Sequence, residues 1–393
     1  MPAAQNICRD IANGTLADQR VLSSRTHFEV LDGLRGVAAI AVMVFHSYDG
    51  QGLLHNAYLA VDLFFLLSGF VIAYSNDDRL QQGMPVFQFL LRRLVRLYPM
   101  ILIGSLFGIA FAIFQRETSA VYMYSSGQIV LYGCLTLVLL FYGFNLPFWS
   151  LFFELVANAF YALFAKHLTT PILALVVLLG LLTVGLGGPL SLDNKCFFVL
   201  GIARVAAGFF GGVLLYKLWR QGRLPSLNGN FAVLSAILIA LFVLPWEIRD
   251  WLFLPAFALM AALIVFGIGA RANRLDKYCA LLGQISYPLY ALHWPVLYAL
   301  VQVEKRLGLT IDNYDFVVVA NCFAALIIAY LAMRFYETPV RFYLARSLTA
   351  TSARPLKPTS AYVFQAAAWR MDVRSRSVAA RLTSKLSGSI TTP

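Results

Sequence analysis

The chain has 393 residues, of which 60% are hydrophobic and 13% charged, against about 25% charged in ordinary soluble domains. That composition excludes a water-soluble enzyme and predicts an all-α, polytopic membrane protein. The formal charge of +12 would suit nucleic acid, but the basic residues lie in short loops and the tail, where membrane orientation accounts for them without a nucleic-acid partner.

Residues 1–30 form a polar segment with Asp10, Asp18, Arg20, Arg25 and Glu29 and no apolar signal-peptide core. The first hydrophobic helix is therefore expected to direct insertion itself. Apolar runs follow near 33–48, 59–75, 98–115, 128–143, 148–165, 171–188, 197–216, 229–245, 251–269, 281–302 and 315–336. If all of them crossed, the clusters Lys217/Arg220/Arg223 and Arg271/Arg274/Lys277 would face away from Arg79/Arg92/Arg93/Arg96, against the positive-inside rule. The run from Ile129 to Tyr142 is short for a span of about 20 residues and reads as a re-entrant or interfacial segment. About ten transmembrane helices remain, with a cytoplasmic N-terminus and basic loops around 76–97, 166–170, 217–228 and 270–280 inside. The expected organisation is a cytoplasmic segment 1–30, a membrane domain 31–345 and a basic, disordered cytoplasmic tail 346–393. Within the tail, aromatic and basic residues between Tyr362 and Val373 would also suit a short helix on anionic lipid.

The first span carries Arg35 and His46. They are eleven residues apart, which returns to within roughly 20° of one helix face about 16 Å further along. Ala38, Ala39 and Val42 between them are small enough to leave a groove. Arg35 could simply snorkel at the helix end, whereas an intramembrane histidine defaults to a functional role. Asp62, near the outer end of the second span, could orient His46 or receive substrate hydroxyls, or serve only as an anion at a helix N-terminus. Ser68-Gly69 reads as helix packing. Arg92, Arg93 and Arg96 cluster on about one turn and suit either the phosphates of a nucleotide-bearing donor or ordinary interfacial anchoring.

Pro147 to Leu155 opens the next outer-side helix. Glu154 there would lie at a depth similar to His46, as a second acid/base or as a structural partner of Arg204. Trp149 reads first as an interfacial belt residue. Gln284 to Pro295, with two prolines, two tyrosines and His293, predicts a kinked helix facing a polar cavity, so Tyr287, His293 and Trp149 are the candidate substrate-binding residues. Tyr336 to Arg341 is expected to end the last span. Cys8, Cys134, Cys196, Cys279 and Cys322 make no CxxC pair, and neither disulfides nor a metal site is inferred.

Leu31-Asp32-Gly33-Leu34-Arg35-Gly36 with His46, Asp62 with Phe64 to Phe70, Arg93 to Arg96 before Tyr98-Pro99, Phe148 to Leu151 with Glu154, Ser286 to Tyr290 with His293-Trp294-Pro295, and Glu337-Thr338-Pro339 occur in this order over roughly residues 30–343. Together they resemble the acyltransferase family 3 membrane enzymes, which O-acylate bacterial surface sugars, lipid-linked carbohydrates and some antibiotics. The resemblance implies acyl-CoA (acetyl-CoA) as donor, a carbohydrate or lipid-linked glycan as acceptor, and residence in the bacterial inner membrane. It further implies His46 as catalytic histidine assisted by Arg35, and donor contacts from Arg93 and Arg96. Larger family members append an extracytoplasmic hydrolase-like domain, which is not expected after Arg346 here. The rival reading is a transporter or flippase in which the same buried charges line a pathway, although no inverted repeat is apparent. A scaffolding protein would leave the polar groups unexplained.

Overall fold

The structure is a computed structural model that describes residues 28–48, 52–118, 125–139, 144–187, 197–225, 227, 229–245, 248, 250–270, 272–306 and 314–351. The expected N-terminal segment up to His27 and most of the expected tail, including Tyr362 to Val373, lie outside them. The described residues contain helices and no strand, as a bilayer requires of a chain that must satisfy its backbone internally and does not close a barrel.

Each apolar run of the sequence is a helix. They are α1 Glu29–Ser47, α2 Ala60–Gln81, α3 Val86–Thr118, α4 Ser126–Leu139, α5 Phe148–Phe164, α6 Thr170–Gly187, α7 Phe197–Arg220, α8 Phe231–Val243, α9 Phe253–Ile268, α10 Asp276–Arg306 and α11 Tyr314–Ala332. Among the described residues, six helical segments are long and apolar enough to cross a membrane, and α5, α8 and α9 are shorter apolar helices. Leu175, Leu178, Leu179 and Leu186 on α6 and Phe316, Phe323 and Ile327 on α11 are exposed, an outward apolar surface that lipid solvates. The chain is an integral membrane protein.

The last span does not stop where the Tyr336 to Arg341 stretch suggests. Met333–Glu337 form a π turn, and helix α12 follows over Thr338–Thr351. Pro339 is the second residue of α12, in the first turn, where a missing N–H breaks no intrahelical bond. The bundle unit ends at Pro339, and Val340 onward belongs to a second unit, of which residues 340–351 are described.

Pairwise contacts fix the helix directions within the bundle, whose two ends are named here by Arg35 and His46. Helix α10 runs parallel to α1, because Arg35 bonds Ser286 while His46 meets His293 further along both. Helix α2 runs the other way, with Phe28 against Phe70 and Phe45 against Tyr58. Parallel to α2 are α7, through Asp62–Arg204 and Asp77–Arg220, and α5, through Ser68–Glu154 and Asp77–Tyr161. Helix α3 is antiparallel to α5, with Phe89 near Tyr161 and Gly104 against Phe148.

Glycine allows the closest approach in the bundle. A Cβ on Gly69 would lie 1.9 Å from the Phe209 carbonyl oxygen, and one on Gly212 would lie 2.0 Å from that of Leu66. Backbones of α2 and α7 thus meet without intervening side chains, the geometry that small residues give membrane helices. The expected packing role of Gly69 holds; Ser68 beside it does something else.

Candidate active site

Helix α10 is the spine of the site. Reading along it, Gly283 and Ser286 face Arg35, Tyr287 faces Leu97, Tyr290 faces Ser150, Ala291 faces Asn145, and His293 faces His46. Pro288 and Pro295 lie inside it without ending it, as membrane helices tolerate when neighbouring groups satisfy the freed carbonyls. The Ala291 carbonyl, for example, accepts from Asn145 Nδ2 at 2.8 Å.

Arg35 turns inward. Its Nε donates to Ser286 Oγ at 3.0 Å, Nη2 donates to the Gly283 carbonyl at 3.0 Å, and Asp32 Oδ1 lies 2.7 Å from Nη2. Snorkelling does not describe a guanidinium tied at three points across two helices. Between Arg35 and His46, Ala38, Ala39 and Val42 are buried. Cβ atoms on Gly33 and Gly36 would meet Cys279 and Leu282 of α10 at 2.8 and 2.4 Å. At the Arg35 end the small residues of α1 therefore serve close packing against α10 rather than an open groove.

At the other end, His46 Nδ1 and His293 Nε2 are 3.0 Å apart, their rings stacked at 5.0 Å between centroids, and Trp294 stands edge-on to His46 at 5.1 Å. His293 is fully buried and its Nδ1 bonds the Leu289 carbonyl at 3.0 Å, whereas His46 is half-buried.

The partner of the His46 imidazole is thus His293, and the two acidic candidates, Asp62 and Glu154, are deployed elsewhere. Asp62, fully buried, receives both prongs of Arg204, with Nε to Oδ1 at 3.0 Å and the second guanidinium nitrogen on Oδ2. Tyr58 and Phe253 rings flank that guanidinium at 6.0 and 5.6 Å. Glu154 does not take Arg204: its Oε1 accepts from Ser68 Oγ at 2.5 Å and from Arg93 at 3.2 Å. A carboxylate buried in lipid needs a cation and a donor, and Arg93 and Ser68 supply them.

Arg93 is accordingly buried against Glu154, while Arg92 and Arg96 are half-buried and lie within about 40° of one another on α3 by helical phase. Tyr287 donates to the Leu97 carbonyl at 2.5 Å, so α10 joins the Arg35 contact to the arginine turn of α3. Trp149 packs edge-on with Phe65, Phe153 and Phe197 at 6.3, 6.1 and 5.9 Å. Among the described residues no group of three or more His, Cys, Asp or Glu side chains is arranged to hold a metal ion.

Sequence reasoning missed Ser68, Ser286 and the Ser150–Tyr290 bond, where the two hydroxyl oxygens are 2.7 Å apart. The available signal was a lone hydroxyl in an apolar run, which in lipid must find a partner.

The profile of the acyltransferase domain of family 3 matches residues 28–334. The chain belongs to this acyltransferase family, and it is an enzyme of the class that transfers acyl groups other than aminoacyl groups. Among its curated relatives, peptidoglycan O-acetyltransferase OatA of Listeria monocytogenes is 26% identical over 364 residues, covering 81% of this chain and 56% of the relative. Protein 2 in the picA locus of Rhizobium radiobacter is 34% identical over 169 residues, covering 36% of this chain and 84% of the relative. O-acetyltransferase OatA of Staphylococcus aureus is 22% identical over 348 residues, covering 79% and 57%. The chain thus spans a little over half the length of the OatA proteins. No solved structure matches.

Proposed function

We propose that this protein is a membrane O-acyltransferase that moves an acetyl group from acetyl-CoA to a hydroxyl of a carbohydrate or lipid-linked glycan, with His46 as general base. The observation that carries the reading is the line of polar contacts along α10, from Arg35 to His46. It joins one end of the bundle to the other through otherwise apolar packing. The naming of the OatA relatives as O-acetyltransferases supports the acetyl and hydroxyl halves of the reaction.

In this reading the donor approaches from the Arg35 end, where Arg92 and Arg96 take its phosphates. Arg35, tied to Gly283 and Ser286, holds the donor end of the α1–α10 seam together. The His46 imidazole removes the proton from the acceptor hydroxyl as its oxygen forms a bond to the thioester carbonyl carbon. Collapse of the tetrahedral intermediate breaks the C–S bond, and the thiolate leaves with the proton held on His46. Such general-base assistance is typically worth about 10²–10⁴-fold. Glu154, bonded to α3 and α2, and Asp62, bonded to α7, hold helices α2, α3, α5 and α7 in register, and Tyr287 and Trp149 line the approaches.

The antiparallel course of α3 and α5 supports the short α4 as a segment that leaves and returns at one end. Ten helices then cross, and the parallel course of α1 and α10 agrees with that count. The positive-inside rule puts the Arg35 end on the cytoplasmic side of the inner membrane.

The test is mass spectrometry of surface polysaccharide and glycolipid from cells with the protein, without it, and with His46→Ala. The expected result is an acetyl mass on one glycan that only the active protein adds. Full acetylation in the His46→Ala strain would overturn the general-base role, and an unchanged glycan profile in the deletion strain would overturn the acceptor class.

A further inference from the structure

We propose that His293 is a positioning residue that fixes His46 as the Nδ1–H tautomer and so leaves Nε2 as its basic nitrogen. This rests on the general-base reading of His46 and adds which atom acts and what selects it.

The assignment follows from who can donate to whom. The Leu289 carbonyl, one turn back on α10, accepts only, so the His293 Nδ1 that meets it at 3.0 Å carries a hydrogen. A neutral imidazole has one N–H, and the Nε2 of His293 is then an acceptor. That Nε2 lies 3.0 Å from His46 Nδ1, which must therefore supply the hydrogen of the bond. With Nδ1 protonated, the lone pair of His46 is on Nε2, the atom pointing away from the helix.

Reversing the bond requires a proton on both nitrogens of His293. That residue is fully buried, and an unpaired charge there would face a heavy desolvation cost. Among the described residues no carboxylate is paired with either ring. The His293 ring at 5.0 Å and the Trp294 edge at 5.1 Å pack against the His46 imidazole in this orientation. A second-sphere group that sets a histidine tautomer is a known way to aim a general base, and its loss costs mainly turnover rather than binding.

The test is ¹⁵N NMR of histidine-labelled full-length protein in lipid bilayers, with the His46 signals assigned by their loss in His46→Ala. The expected spectrum shows His46 with a protonated Nδ1 and a bare Nε2. Kinetics provide the second measurement. His293→Leu should lower kcat by about 10²-fold or more, within the range general-base assistance covers, with the KM for acetyl-CoA within about twofold. His293→Gln, whose amide oxygen can accept from His46 Nδ1, should recover most of that loss. A His46 spectrum with Nε2 protonated overturns the assignment, as does an unchanged kcat in a folded His293→Leu protein. If His46→Ala still transfers acyl groups at the normal rate, the general-base reading fails and the inference with it. If His46→Ala is inert while the wild-type spectrum shows Nε2–H, only the role of His293 fails.

Discussion

Arg93 Nη2 lies 3.2 Å from Glu154 Oε1, a carboxylate that Ser68 also meets at 2.5 Å. Two residues that the sequence offers for separate tasks, a donor-binding cation and an acid/base, are thus each other's counter-ions, and the contact ties α2, α3 and α5 together. Both side chains are largely buried, at 10% and 13% exposed, so the pair is poorly screened and removing one member costs the other this counter-ion.

Glu154→Ala is expected to lower stability by about 3–5 kcal/mol, the usual cost of leaving one buried charge without its partner. Glu154→Gln, which keeps an acceptor for Ser68, should lose less. Thermal unfolding in detergent by tryptophan fluorescence measures both, and an unshifted transition in Glu154→Ala would show that the pair is not a structural clasp.

The Asp62–Arg204 pair predicts strong coupling. Either Asp62→Leu or Arg204→Met alone should unfold the protein at markedly lower temperature. The double replacement Asp62→Leu with Arg204→Met should be milder than the sum of the singles, since an apolar pair removes both desolvation costs together. A double-mutant cycle on unfolding free energy checks this, and strict additivity is the contrary outcome.

Gly69→Ala should destabilise the bundle by at least the 1–3 kcal/mol typical of overpacking, because the new Cβ would fall 1.9 Å from a backbone oxygen that no rotamer change can move. Gly83, at φ +91° with nothing within 4 Å of an added Cβ, should respond through backbone strain alone and by less. Comparing the two unfolding midpoints separates close approach from conformational freedom.

The arginine turn of α3 predicts a split between binding and stability. If they hold the donor phosphates as proposed, Arg92→Ala and Arg96→Ala should each raise the KM for acetyl-CoA by about 10- to 100-fold with the fold intact, since each such contact would be a charge-assisted bond worth about 1.5–3 kcal/mol. Arg93→Ala should instead lower the melting temperature, as Glu154→Ala does. Titration with a labelled acyl-CoA against each variant reads the first effect and thermal unfolding the second.

Much of the architecture was legible along the chain. Apolar run length marked α1 to α11, though not α12 or the full extent of α3 and α10, because a segment in lipid must be long, apolar and internally hydrogen-bonded. The helical phase of Arg35 and His46 also survived, since both face α10. The end of the last span was misjudged at Thr338-Pro339, where a π turn carries the helix on. Composition and period cannot report such a local change of winding.

What the sequence determined by itself is the solvent the chain lives in, the positions of its apolar helices α1 to α11 and the polar residues that lipid would reject. Those follow from local properties: hydropathy, spacing and the cost of a lone charge. Only the tertiary structure decided how those polar residues pair, giving Asp62 to Arg204, Glu154 to Arg93 and Ser68, Arg35 to Ser286 and His46 to His293. The partners are separated by 142, 61, 86, 251 and 247 residues. Each carboxylate had several cations within plausible reach, and the choice fell to helix direction and to the few places where glycines let two backbones close.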